Sequence, residues 1–191
     1  SRVTETQLVR KRLASYLIKS GRAELNGKRT YSVVYPRSVA AFTAPVTLPD
    51  GHTTRLSGHD LAEISRQWYD EGLNAGLPEE DLRYLKPQAT EFKAIIGMNA
   101  HALLDWFAIR CCRNAQHEIR HLAWQMLRLS RKAAPDLFAG AGPSCVQMGY
   151  CPENKRQHSR CVGRVLTKEQ AMEVLRSHGS QQASAEDFTD Q

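Results

Sequence analysis

Residues 99–135 carry the most regular apolar pattern in the 191-residue chain and constrain its fold most strongly. Asn99 is a residue type that caps helices, and apolar side chains follow it at helical spacing up to residue 109. Beyond Cys111 and Cys112, apolar residues return every three or four positions until Pro135, which cannot continue a helix. The pattern predicts two helices with a polar joint between them. The polar residues of this joint are Asp105, Arg110, Arg113, Asn114, Gln116 and Glu118.

The N-terminal half mixes helix and strand signals. Apolar residues over 4–18 predict a helix that ends before Gly21. The β-branched and aromatic residues over 30–35 predict a strand, and residues 42–56, interrupted by Asp50-Gly51, predict a hairpin or an exposed flap. Together with the helical pair, these elements predict an α+β chain.

Further helices are predicted, including a short one that begins at Pro78-Glu79-Glu80. The capping-box pair Ser57 and Asp60 indicates a helix start. Apolar residues at helical spacing then predict its core-facing side; these are Leu61, Ile64, Trp68 and Leu73. A last helix is predicted from Lys168 to about Ser177, and the polar residues after it are expected to be disordered.

Arg110 follows the apolar residues Trp106, Phe107 and Ile109, so part of its side chain is expected to be shielded from water. Burying a guanidinium is costly unless it meets an anion or a fixed acceptor. Two partners satisfy this requirement equally well: a bound anionic ligand, or an internal ion pair with Glu118.

Residues 10–22 form a basic stretch in which arginine, lysine and serine alternate with apolar residues. Arginine presents a planar fork of donors that matches phosphate, and serine adds a small donor. The stretch can therefore hold a phosphorylated ligand, but a solvated basic helix or a nucleic-acid patch has the same composition. The net charge of +6 suits an anionic partner, but it does not distinguish a phosphorylated ligand from a nucleic acid.

The chain has five cysteines, and two of them are adjacent. An odd number with an adjacent pair favours reduced thiols in the cytoplasm over a disulfide framework. Cys145, Cys151, His158 and Cys161 could form a zinc site, but their spacing is not a standard zinc pattern. Free thiols are therefore expected, and no metal site is predicted. No apolar run is long enough to span a membrane.

Two blocks of the chain resemble the flavin-dependent thymidylate synthases (ThyX). The family signature is Arg-His-Arg-x-x-Ser-x-Asn-Glu-x-Ser-x-Arg, and this chain matches it at Arg10, Arg12, Ser15, Ser20 and Arg22. The second block comprises Leu82-Arg83-Tyr84-Leu85-Lys86-Pro87, Asn99-Ala100-His101, Ile109-Arg110 and Ala115-Gln116-His117-Glu118-Ile119. The tail, with Gly142-Pro143-Ser144-Cys145, is similar to the tails of some members.

The resemblance implies an α+β fold with a small antiparallel sheet and flanking helices, in a homotetramer that binds FAD at its subunit interfaces. It implies one catalytic domain over residues 1–140 and a cysteine-containing tail over 141–191. The implied reaction is C5 methylation of a uridine monophosphate. Methylenetetrahydrofolate would give the carbon, reduced FAD the hydride, and NADPH would reduce the flavin.

Site residues follow from the resemblance by position. The substrate-binding residues would be Gln7, Arg10, Ser20, Gly21, Arg22, Arg83 and Arg110. The cofactor-binding residues would be Arg10, Lys11, Arg12, Asn99, His101, Asp105 and Asn114. Arg110 would also be catalytic, because an arginine at the uracil face can stabilise charge that builds on the ring.

The chain departs from the signature at Lys11, which replaces histidine, and at Leu17-Ile18, which replace Asn-Glu. The loss of two polar groups predicts a relaxed choice of sugar, so that UMP and dUMP could both be substrates. A UMP methylase of polyoxin-type antibiotic biosynthesis is a related possibility. The rival hypotheses are a nucleotide-binding relative without catalysis and a basic RNA-binding module. The main prediction is a cytoplasmic enzyme that binds neither nucleic acid nor membrane.

Overall fold

The computed structural model describes residues 1–10, 13–18, 31–153, 161 and 165–179. These residues form two compact units, one within Ser1–Gly97 and one within Met98–Gln191. Helices and strands occur in both units, so the predicted α+β class is confirmed. The predicted boundary at residue 140 stays a prediction.

In the described part of the first unit there are four short strands and four helices. The helices are α1 (Arg2–Leu8), α2 (Arg37–Ala41), α3 (Gly58–Asn74) and α4 (Glu79–Leu82), and a 3₁₀ turn (Arg83–Leu85) follows α4. The strands are β1 (Ala14–Ile18), β2 (Thr43–Thr47), β3 (Thr53–Ser57) and β4 (Ala94–Met98). β1 pairs with β4, and β2 pairs with β3.

The predicted hairpin is confirmed as the antiparallel pair β2–β3, in which Thr43 lies opposite Ser57 and Thr47 opposite Thr53. Its turn depends on Gly51, whose φ of 84° is a left-handed value that glycine adopts without strain. The Asp50 carboxylate accepts a hydrogen bond from the His52 amide at 2.9 Å and fixes the turn.

The prediction of one helix over 4–18 is wrong, because α1 ends at Leu8 and residues 14–18 form β1. Tyr16 and Ile18 favour a strand, and pairing with β4 supplies backbone hydrogen-bond partners that lie about 80 residues away in sequence. The Tyr16 hydroxyl donates to the Leu8 carbonyl at 2.9 Å and links β1 to the end of α1. In 31–35, the described part of the predicted strand, the structure has an isolated bridge between Val33 and Thr90.

Helix α3 begins as predicted. The Ser57 side chain accepts from the Asp60 amide, and the Asp60 carboxylate accepts from the Ser57 amide, which completes a capping box. The predicted core side is wrong, because Leu61, Ile64 and Trp68 are about half exposed.

The buried side of α3 consists of Ala62, Tyr69 and Gly72 instead. The side chain of Leu82 occupies the space that a Cβ atom at residue 72 would take. The absence of a side chain at Gly72 therefore lets Leu82 of α4 pack closely on α3, and this close approach favours burial of that side of α3.

The second unit is mainly helical. Its helices are α5 (Ala100–Arg110), α6 (His117–Ala133), α7 (Pro135–Phe138), α8 (Ser144–Met148) and α9 (Lys168–Gly179). The two-residue strands β5 (Tyr150–Cys151) and β6 (Leu166–Thr167) pair in parallel.

The predicted helical pair is confirmed as α5 and α6. The Asn99 side chain accepts from the Ala102 amide at 2.8 Å and caps α5. The α6 core side is formed by Ile119, Ala123 and Leu127, all 0% exposed. The predicted last helix is confirmed as α9, whereas the polar end expected to be disordered lies outside the described residues. No helix in the described part of the chain combines the length and apolarity needed to cross a membrane.

Candidate functional site

A groove in the first unit brings α1 beside the 3₁₀ turn that carries Arg83. The Arg2 amide donates to the Thr90 carbonyl at 3.1 Å, which fastens the start of α1 to the segment after that turn. The groove has a volume of about 540 Å³, and its walls include the cations Arg2, Arg83 and Lys86. We call it the cation groove. Its excess of positive charge suits an anionic group.

Lys86 is the least expected member of the cation groove. Its Nζ lies 4.0 Å from the ring centre of Tyr69 and 5.0 Å from that of Tyr31. Burial lowers the pKa of Lys86, and the nearby Glu79 carboxylate opposes that change. The sequence gives no local signal for this arrangement, because the two tyrosines come from distant parts of the chain.

The N-terminal site candidates are only partly described. Gln7 is half buried on α1, and Arg10 is exposed two residues after α1 ends. The other five candidates of the basic stretch lie outside the described residues; they are Lys11, Arg12, Ser20, Gly21 and Arg22. In this part of the chain, the structure therefore describes α1, which precedes the basic stretch, and β1, which lies within it.

In the second unit, α5 and its capping residue provide four of the candidates. Asn99 is exposed at the cap, where its side-chain oxygen already accepts the Ala102 amide. His101 and Asp105 are exposed one turn apart, with His101 Nε2 and Asp105 Oδ2 separated by 4.0 Å. The cap leaves the Asn99 amide nitrogen as the group with which this side chain can donate to a ligand.

Arg110 is the last residue of α5 and is half buried, as its apolar neighbours predicted. A cation at a helix C-terminus is stabilised by the negative end of the helix dipole. Arg110 and Glu118 both engage in interactions within the structure.

Asn114 lines a second cavity, which lies wholly within the second unit and has a volume of about 660 Å³. We call it the joint cavity, because the α5–α6 joint forms one of its walls. Arg113 and Arg120 belong to the same wall, and Arg120 Nη1 donates to the Arg113 carbonyl at 2.9 Å. This wall therefore combines an amide with two guanidinium groups.

The opposite side of the joint cavity is formed by the tail, an arrangement that sequence reasoning missed. The Ser144 hydroxyl donates to the Ala108 carbonyl at 3.3 Å and holds the start of α8 against α5. Cys145 and Cys151 consequently face the same cavity as Cys112. Cys111 is 2% exposed, and burial raises its pKa to about 11, so its thiol is poorly suited to act as a nucleophile near neutral pH.

Comparison with known proteins identifies related sequences across both units. Residues 1–136 match the family model described as "Thymidylate synthase complementing protein". A flavin-dependent thymidylate synthase of Thermococcus onnurineus is 36% identical over 173 residues, which are 88% of this chain and 67% of the relative. One from Geobacter sulfurreducens is 40% identical over 153 residues, which are 80% and 62%. One from Pyrococcus abyssi is 34% identical over 180 residues, which are 92% and 70%.

The family match spans α1, the cation groove, and the α5–α6 joint, so it includes every candidate site residue named from the sequence. The aligned part of the chain covers between 62% and 70% of the length of these three relatives. The resemblance inferred from the two sequence blocks is thereby confirmed, as is the prediction of an enzyme: the chain belongs to the flavin-dependent thymidylate synthases, a family of enzymes.

Proposed function

We propose that this chain methylates C5 of a uridine monophosphate, with methylenetetrahydrofolate as carbon donor and NADPH as the reductant of a bound FAD. The family match supports the reaction class. The structural observation that carries the proposal is the cation groove, where Arg83 lies beside α1, the helix of Gln7. The groove places the Arg83 guanidinium among other cations, and a guanidinium is the group that matches a phosphate best.

In this proposal the arginines have different tasks. Arg83 binds the nucleotide through its exposed guanidinium, together with Ser20 and Arg22. Arg110 is half buried, and its charge is therefore less screened by water than that of an exposed arginine. It stabilises negative charge on the uracil ring as C5 becomes nucleophilic.

The residues present fit a flavin. The joint cavity offers the Asn114 amide beside two guanidinium groups, Arg113 and Arg120, a donor set that suits phosphates. Arg10 is exposed, and Asn99 has its amide nitrogen to donate. Lys11, Arg12, His101 and Asp105 complete the proposed cofactor set. When bound, the flavin supplies the hydride that completes the methyl group.

We propose a homotetramer in the cytoplasm, with FAD at the interfaces between subunits. Light scattering should show four chains per particle, and a dimer or monomer that turns over substrate would overturn this part of the proposal.

The sugar preference is proposed from Leu17 and Ile18, which stand where the family signature has Asn-Glu. Both belong to β1, where Leu17 is 70% exposed and Ile18 is half buried. Neither side chain can hydrogen bond, so this strand discriminates weakly between ribose and deoxyribose. We expect UMP as well as dUMP to be accepted.

A release assay tests the proposal directly. FAD-loaded protein is incubated with UMP or dUMP carrying tritium at C5, in the presence of methylenetetrahydrofolate and NADPH. The expected result is tritium release from both nucleotides. Release from dUMP alone would refute the relaxed sugar choice, and release from neither would refute the methylation itself.

The rival functions have different signatures. A nucleotide-binding relative without catalysis would bind UMP or dUMP but show no flavin absorption after reconstitution. A basic RNA-binding module would bind RNA with a steep dependence on salt and would not bind mononucleotides. A flavin spectrum combined with mononucleotide binding excludes both.

A further inference from the structure

Trp124 gives the joint cavity an aromatic wall. The residue lies on α6, lines the cavity and is 38% exposed. Its indole Nε1 donates to the Cys111 carbonyl at 3.2 Å, which holds the ring against the end of α5. Because this hydrogen bond uses the one polar atom of the indole, the ring offers a ligand its carbon surface. A partly exposed indole held in this way is suited to stack on another planar ring.

Two guanidinium groups line the same cavity as the Trp124 ring. Arg113 is exposed in the α5–α6 joint, and Arg120 is half buried on α6, one turn before Trp124. The hydrogen bond from Arg120 to the Arg113 carbonyl uses only part of the donor set of that guanidinium. Planar guanidinium forks match the oxygen atoms of a phosphate. Aromatic rings and arginines together are what proteins commonly use to hold the bases and phosphates of nucleotides.

The size and charge of the joint cavity also suit a nucleotide. Its volume of about 660 Å³ falls within the range of ~300–1,000 Å³ that is typical of small-molecule sites. Glu153 is the one acidic side chain among the described lining residues, so the two arginines leave an excess of positive charge. Other parts of the wall are small or apolar and include Ala108, Pro143, Pro152 and Val165. The cavity therefore favours a planar ring that carries an anionic group.

Buried thiols make part of the cavity wall neutral. Burial raises the pKa of Cys145, and the nearby thiols of Cys112, Cys151 and Cys161 raise it further. Burial also raises the pKa of Cys111 to about 11. Cys145 and Cys111 therefore stay protonated near neutral pH, where a thiol behaves as a small apolar group. In the part of the chain that the structure describes, no three histidine, cysteine or acidic side chains are grouped so that they could hold a metal ion.

We propose that the joint cavity binds the adenosine phosphate end of a dinucleotide cofactor, with the adenine stacked on Trp124 and the phosphates held by Arg113 and Arg120. A purine suits this ring better than a pyrimidine, because two fused rings cover more of the indole surface. The proposal rests on the proposed function for the two molecules that carry such an end, FAD and NADPH. The binding is non-covalent, and no bond changes in either molecule.

ADP tests the site, because it is the part that FAD and NADPH share and it has no redox chemistry of its own. ADP is titrated into the full chain without flavin, and binding is followed by calorimetry and by tryptophan fluorescence. The expected result is saturable binding with quenching of the fluorescence, as stacking on an indole produces. Absence of saturable ADP binding would overturn the proposal.

Substitutions at Trp124 separate stacking from a structural role. Trp124→Leu removes the ring and should raise the Kd for ADP and for adenosine about fivefold to a hundredfold, the usual effect of losing one base stack. Trp124→Phe keeps a ring, loses the hydrogen bond to the Cys111 carbonyl and should retain most of the affinity. Trp68→Leu, which removes an exposed tryptophan from α3, is the matched control and should change neither Kd. Equal weakening by leucine and phenylalanine at position 124 would overturn the stacking role.

Arg113→Gln tests the phosphate contact without altering the carbonyl that Arg120 uses. The Kd for ADP should rise about threefold to tenfold, as expected for loss of one partly screened charge, while the Kd for adenosine should not change. Arg128→Gln, at an exposed position on α6, should leave both constants unchanged. A similar rise for adenosine and ADP in Arg113→Gln would remove the phosphate from this part of the site.

Competition against bound ADP identifies the source of the adenosine end. Displacement by FAD or by NADPH supports the site and names the cofactor, whereas FMN, which lacks adenine, should not compete. Competition by FMN, or by neither dinucleotide, would overturn the proposal. ADP binding that depends on Trp124 in a protein without methylation activity would refute the proposed function and leave this site standing. Methylation activity with ADP binding unchanged by Trp124→Leu would refute the site alone.

Discussion

The Lys86 ammonium lies 4.0 Å from the ring centre of Tyr69, which is 1% exposed and donates its hydroxyl hydrogen bond to Glu79 at 3.0 Å. The aromatic ring attracts the cation, yet burial still lowers the pKa of Lys86. A lowered lysine pKa means that the folded protein disfavours the charged form relative to the unfolded chain. The charge is therefore retained at a cost to stability, at a position that lines the cation groove.

Lys86→Met tests this relationship. Methionine has a similar length and no charge, so the variant should be at least as stable as the wild type in urea denaturation. The same change removes a cation from the groove and should raise the Kd for dUMP about threefold to tenfold, as expected for loss of one partly screened charge. Lys93→Met, at an exposed position nearby, should change neither quantity. A less stable Lys86→Met protein with normal nucleotide affinity would contradict this view.

Gly72→Ala should destabilise the first unit, although alanine has the higher helix propensity. The added Cβ would meet the Leu82 side chain, which is 1% exposed and has little room to move. Overpacking costs about 1–3 kcal/mol, whereas the gain in helix propensity is about 1 kcal/mol, so the clash should prevail. The urea midpoint should fall.

Gly140→Ala is the control for this prediction, because a Cβ at that position meets nothing within 4 Å. The double variant Gly72→Ala/Leu82→Val should recover part of the lost stability if the contact between these two residues is the cause. If the double variant is no more stable than Gly72→Ala, a contact other than that between residues 72 and 82 causes the loss of stability.

Elements set by local chemistry were predictable, and those set by distant partners were not. The β2–β3 hairpin and the α3 capping box follow from a few adjacent residues. β1 was mistaken for helix because its partner, β4, lies about 80 residues away. The buried side of α3 was misassigned for a related reason: Gly72 carries no apolar signal, yet it admits Leu82.

The same distinction applies to the candidate site: some of its features were predictable from the sequence and others were not. Residue types and motif order identified Arg83, Arg110 and Asn114 as candidates, but not the surfaces on which they lie. Contact between α1 and the segment after Arg83 is made through a backbone hydrogen bond, which side-chain patterns do not encode. The approach of Cys112 to the tail depends on the docking of α8, which a hydrogen bond from Ser144 supports.

Arg83→Ala should weaken nucleotide binding far more than flavin binding. A charge-assisted hydrogen bond contributes about 1.5–3 kcal/mol, so the Kd for dUMP should rise about tenfold to a hundredfold. Calorimetry with dUMP and fluorescence titration with FAD measure the two effects separately. Arg37→Ala, an exposed arginine at the start of α2, should leave both constants unchanged. Equal losses for dUMP and FAD would show that the Arg83 assignment to the nucleotide is misplaced.

Arg110→Ala should reduce tritium release from C5 by about a hundredfold to a thousandfold, the usual cost of removing a group that stabilises developing charge. The oligomeric state in light scattering should not change, because α5 and α6 retain their buried residues Phe107, Ile119 and Leu127.

Arg128→Ala, which removes an exposed arginine from α6, should preserve turnover. Arg110→Lys keeps the charge but not the planar fork and should recover only part of the rate. Full turnover in Arg110→Ala would remove this residue from the chemistry and favour its internal pairing with Glu118.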